Sequence, residues 1–110
     1  MSYQHQQLAS GRWNEMPFFE QMANIGSEVE RTIRWKEKNN LEYSRLAFER
    51  ALELLELTIS DEKNRKRLRE LTRLKESLAD HFEFGNDYHS TGKDWSKYFY
   101  VFNYASCLKK

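Results

Sequence analysis

Residues 41–84 read LEYSRLAFERALELLELTISDEKNRKRLRELTRLKESLADHFEF. No glycine or proline interrupts them, and their apolar residues recur three and four apart, the periodicity of an amphipathic helix. Along 41–59, Ala47, Ala51, Leu54 and Thr58 fall on one line and Phe48, Leu52, Leu55 and Ile59 on the next, so the apolar arc is wide. The polar run Ser60–Arg67 then breaks the stripe. One helix over the whole stretch would be about 66 Å long, out of scale with a chain of 110 residues. A turn near 59–62 is therefore expected, with Ser60 or Asp61 capping a further helix that carries Leu68, Leu71, Leu74, Leu78 and Phe82.

Working outward, the upstream segment carries a second stripe, Phe18, Met22, Ile25, Val29 and Ile33, which predicts a helix over about 15–37. Asn14 is placed to cap it and Pro17 suits its first turn, where a missing N–H costs nothing. Lys36 and Lys38 suit the negative end of its dipole, and Asn39 or Asn40 can take the left-handed cap. Residues 1–12 are polar and aperiodic and read as a flexible lead-in, so a single domain is expected over 13–110. Downstream, Phe84-Gly-Asn-Asp87 is a stop signal with Gly85 at the αL position. Ser90 or Thr91 then caps a last helix over about 93–108. Tyr98-Phe-Tyr-Val-Phe102 could suit a strand, but a lone strand has nothing to pair with. The expected fold is all-α, an up-down-up-down four-helix bundle, with Ala23, Gly26 and Ser27 letting one helix approach closely.

Eighteen basic residues nearly cancel seventeen acidic ones to leave a net charge of +1, so no global field recruits nucleic acid or an anionic membrane. The single Cys107 allows no intrachain disulfide and fits a reducing, cytoplasmic compartment. Neither an export signal nor an apolar run long enough to cross a membrane is present, so a soluble, unexported protein is expected.

Four constellations carry chemistry. Glu20, Asn24 and Glu28, with Glu49, Glu53 and Glu56 and with Glu76 and Asp80, are spaced as carboxylates that could hold Mg²⁺ against a phosphate. Interspersed Arg31, Arg45, Arg50 and Lys75 make the same residues an ordinary salt-bridged helix face. Histidines His5, His81 and His89 lack a second ligand at metal spacing and the Glu-x-x-His of di-iron bundles is absent, so no metal or other cofactor is expected. Arg65, Arg69 and Arg73 fall four apart as a basic ridge, able to track a phosphate backbone weakly and without sequence preference. The aromatic run of the last helix lies on nearly every side: Trp95, Phe99 and Phe102 face one way, Tyr100, Val101 and Tyr104 others. One core cannot cover both, and these six residues form a candidate interface.

Two resemblances attach to these residues. Trp13-Asn-Glu-Met-Pro17, Glu20-Gln-Met-Ala-Asn-Ile-Gly-Ser-Glu-Val29 and Phe48-Glu-Arg-Ala-Leu-Glu-Leu-Leu55 resemble a family of small, uncharacterised prokaryotic helical proteins, which brings no activity with it. The arrangement is also similar to HEPN domains, four-helix bundles that act as RNases or as toxin–antitoxin components. Active members place an Arg four to six residues before a His, whereas seven residues separate Arg73 from His81 here and Asn86-Asp-Tyr-His89 has no Arg in front of it. A third and looser likeness joins Glu53-x-x-Glu56 and Glu28, Glu30 to the all-α nucleotide pyrophosphohydrolases of the MazG type. The favoured reading is a non-enzymatic binding or assembly module, homodimeric through the last helix, with a protein partner possible and no membrane. A HEPN-like RNase or toxin–antitoxin component comes next and a Mg²⁺-dependent hydrolase third.

Overall fold

The computed structural model describes the backbone of residues 6–83 and 92–108 and the side chains of 11–82 and 93–105. The described residues form five α-helices and contain no strand: α1 (Gln6–Glu15), α2 (Phe18–Glu37), α3 (Leu41–Ser60), α4 (Leu68–Glu83) and α5 (Gly92–Leu108), with a 3₁₀ segment, Glu62–Arg67, between α3 and α4. The Phe84–Asp87 stop signal, the Ser90 or Thr91 cap, His5, His89 and the Cys107 side chain lie outside what is described.

The helix expected over about 15–37 is α2, which begins three residues later at Phe18, and a further helix, α1, precedes it across Pro17. Pro17 has no N–H to give to the preceding turn and its backbone is extended (φ −60°, ψ 154°), so α1 ends before it and α2 starts after it. Its carbonyl accepts from Glu20 N and Gln21 N, each at 3.0 Å. Pro17 is thus the cap residue of α2, and Asn14 lies within α1. Helical residues accordingly begin at Gln6, inside the segment read as a lead-in.

The other boundaries follow from side-chain chemistry. Asn39 adopts φ 61°, Asn40 N returns to Trp35 O at 2.9 Å, and Asn40 Oδ1 accepts from Tyr43 N at 3.1 Å. Two consecutive asparagines therefore close α2 and open α3. Asp61 breaks the long apolar stretch: its backbone is extended, and its Oδ1 accepts from Lys63 N at 3.2 Å.

α2 lies along α3 on one side and α5 on the other, and α4 packs on α3. The shared core takes Met22, Ile25 and Val29 from α2, Phe48, Ala51 and Leu55 from α3, and Leu71, Leu74 and Leu78 from α4. Each large aliphatic buried there contributes about 1.5–3 kcal/mol relative to exposure. Trp95 and Phe99 complete the core from α5 and Trp13 from α1. α5 approaches α2 at Gly26, where an added Cβ would lie 2.7 Å from Phe99 Cβ. Ser96 also donates a hydrogen bond to Glu30 across this seam.

A buried polar network fastens the α1–α2 and α3–α4 junctions together. Trp13 Nε1 donates to Thr58 Oγ1 at 2.8 Å. Gln21 Nε2 donates to Trp13 O at 2.8 Å and to Asp61 Oδ2 at 2.9 Å, and Asn64 Nδ2 donates to Gln21 Oε1 at 2.8 Å and to Thr58 O at 3.0 Å. Lys63 pairs with the outer side of Asp61. Every strong donor in this cluster is matched to an acceptor, which is what permits polar groups so deep in the molecule.

Candidate functional site

The basic and aromatic candidates meet in one cleft. The i, i+4 spacing of Arg69 and Arg73 puts both guanidinium groups on one wall of α4, and Lys66 and Arg67 extend that wall from the 3₁₀ segment. Trp95 and Tyr98, three apart on α5, form the opposite wall, and Leu74 contributes apolar surface between them. The cleft has a volume of about 550 Å³. Arg65, expected as part of the same ridge, is exposed and does not line it.

The charges in the cleft are weakly committed. Among the described residues, Lys66, Arg69 and Arg73 have no ion-pair partner, while Arg67 stacks its guanidinium over the Phe18 ring at 4.1 Å. Glu70 is the one carboxylate lining it and accepts from Tyr98 Oη at 3.4 Å. Burial, together with the charge and hydrogen bond of Glu70, pushes the Tyr98 hydroxyl up to about 12, so it stays a donor at neutral pH. Trp95 is 7% exposed, and its indole N–H is buried without a hydrogen-bond partner.

The candidate interface divides in two. Trp95 and Phe99 belong to the core, and Phe102 is half-buried with its ring edge-on to Phe18 at 5.9 Å. Tyr100, Val101 and Tyr104 are 64, 62 and 55% exposed, and the two tyrosine rings stack with centroids 6.2 Å apart. Leu41, Tyr43 and Leu46 of α3 are also exposed, with Leu41 lining one cavity and Tyr43 and Leu46 another.

The acidic candidates are not assembled. Glu28 is buried and held by Arg31 at 2.9 Å and Arg50 at 3.5 Å, Glu49 pairs with Arg45 at 3.6 Å, and Glu56 with Lys75 at 3.3 Å. No group of three or more His, Cys, Asp or Glu among the described residues could hold a metal ion. Arg73 and His81 also part company: Arg73 lines the α4–α5 cleft, and His81 lines a separate cavity with Ile33, Lys36 and Glu37 of α2. No described helix is long and apolar enough to cross a membrane.

Comparison with known protein families, curated proteins and solved structures gave no match in any of the three.

Proposed function

We propose that this chain is a non-enzymatic helical binding and assembly module that pairs with a second copy of itself through the outward face of α5. The observation carrying this reading is the exposure of Tyr100, Val101 and Tyr104 side by side on one helix. Three large side chains left in water on one face favour burial, and a two-fold axis is the simplest way for identical surfaces to cover each other. An antiparallel pairing centred between Tyr100 and Val101 would set Lys97 of each copy against the Tyr104 ring of the other, a favourable cation–π arrangement. In the same reading α2 to α5 form an up-down-up-down four-helix bundle, supported by the tight 38–40 turn and by the flanking of α2 by α3 and α5. Light scattering at micromolar concentration should give about twice 13.3 kDa, and Tyr100→Glu or Tyr104→Glu should restore the monomer with helicity intact. A wild-type monomer at the highest soluble concentration would overturn the reading.

The HEPN-like ribonuclease reading draws less support, because its two catalytic residues would have to act from different cavities. The hydrolase reading needs carboxylates that are instead engaged by arginine and lysine.

A further inference from the structure

The α4–α5 cleft combines features that a merely solvated basic face does not need. A ridge of arginines on a surface helix ordinarily pairs with interspersed carboxylates, as Arg45 does with Glu49. Here Arg69 and Arg73 are unpaired among the described residues and stand beside a recess floored by apolar surface. The Trp95 ring contributes to that surface, with its indole N–H buried and without a hydrogen-bond partner among the described residues.

The features select among anions. Two arginines one turn apart on α4, with backbones about 6 Å apart along the helix axis and Lys66 beside them, match a pair of linked phosphoryl groups better than a single carboxylate. The apolar floor of Leu74, Trp95 and Tyr98 suits a flat, apolar body attached to that anion. Glu70 in the lining can accept from a sugar hydroxyl or an exocyclic amine, groups that a fatty acid lacks. A volume of about 550 Å³ lies in the range for one small ligand and leaves no room for a folded nucleic acid.

We infer that this cleft binds a nucleoside diphosphate: Arg69 and Arg73 hold the phosphates with Lys66 in support, the base lies against Leu74, Trp95 and Tyr98, and Glu70 takes a hydrogen bond from the nucleoside. The site is independent of self-association, since Tyr100, Val101 and Tyr104 do not line it.

Calorimetric titration of the full chain with ADP, adenosine, pyrophosphate and decanoate tests this, with tryptophan fluorescence as a second readout. ADP should bind at least about tenfold more tightly than adenosine or pyrophosphate, because base and phosphates both contribute. Arg73→Gln and Arg69→Gln should each weaken ADP about tenfold while leaving adenosine unchanged, and Tyr98→Ala, which removes the ring the base lies against, should weaken both. Both arginines are exposed, so the variants should fold, and Arg45→Gln on α3 should bind as wild type. Absence of ADP binding at millimolar concentration, equal binding of pyrophosphate, preference for decanoate, or indifference to both arginine variants would each overturn the inference. So would tighter binding of a 12-nucleotide RNA than of ADP, which would make the cleft part of a nucleic-acid track.

Discussion

Asn64 gives its side-chain amide to Gln21 Oε1 at 2.8 Å, joining residues 43 positions apart and buried to 2% exposure or less. Neither residue belongs to an apolar stripe. Together they tie the start of α2 to the 3₁₀ segment, and both serve further partners: Gln21 the Trp13 carbonyl and Asp61, Asn64 the Thr58 carbonyl.

Truncating one of them strands the other. Gln21→Ala and Asn64→Ala should each cost about 1–3 kcal/mol per partner left unsatisfied. The double variant should cost less than the two added, with a coupling of about 0.5–3 kcal/mol in a urea-denaturation cycle. Strict additivity would show that the bond contributes nothing.

Gly26→Ala should destabilise the protein although alanine is the better helix former by up to about 1 kcal/mol. The new methyl would meet Phe99 at 2.7 Å and force α5 outward, an overpacking effect of about 1–3 kcal/mol. Thermal denaturation reads it directly, and the penalty should shrink in a Phe99→Ala background, which removes the Cγ and Cδ1 contacts at 2.8 and 3.0 Å. A raised Tm for Gly26→Ala would contradict the close approach.

Asp61 makes stability fall in acid. Burial raises its carboxyl, but hydrogen bonds from the Lys63 side chain, Gln21 and the Lys63 backbone N–H outweigh that and hold it below the ordinary 3.8. A carboxylate depressed on folding stabilises above its unfolded value, and the contribution is lost as pH falls through the folded value. The wild-type protein should therefore lose stability progressively below about pH 4, and Asp61→Asn should be less stable at pH 7 with a shallower acid limb. Parallel acid limbs for the two proteins would remove Asp61 from the account.

Tyr98 acts at the other end of the scale. With its hydroxyl raised from 10.0 to about 12, folding holds a proton that the unfolded chain releases. Its contribution is complete below about pH 10 and fades as pH rises toward 12. Near-ultraviolet titration of the folded protein should show a late-ionising tyrosine that is missing from Tyr98→Phe and that moves earlier in Glu70→Gln.

The helical stripes of α3 and α4 are legible in outline: Ala47, Ala51, Leu55, Leu71, Leu74 and Leu78 lie in the core, whereas Leu68, on the same stripe at the start of α4, is 46% exposed and Leu57, on neither line, is buried. The break at Asp61 and the Asn39 cap are equally readable, because each depends on local backbone chemistry alone. α1 is not. Residues 6–12 have no apolar stripe, and the helix is secured through Trp13, whose partner Thr58 lies 45 positions away. The cleft was half legible. Arg69 and Arg73 announce a charged wall through their spacing, but the opposing Trp95 and Tyr98 depend on how α5 is rotated, and that rotation is set by Phe99 seating on Gly26. The same rotation sorts the aromatics of α5, which periodicity alone spreads around the helix.

The attachment of α1 also orders events in time. Its large buried anchor, Trp13, needs the end of α3 already in place, and the Gln21 bridge needs the 3₁₀ segment as well. Contacts spanning so much chain form late, since the loop entropy is spent before they reward it. α1 therefore docks only after α3 and the 3₁₀ segment are in place. Its amides should exchange with solvent by a sub-global excursion, well before those of Ile25, Leu55 or Leu71, which exchange only when the whole molecule unfolds.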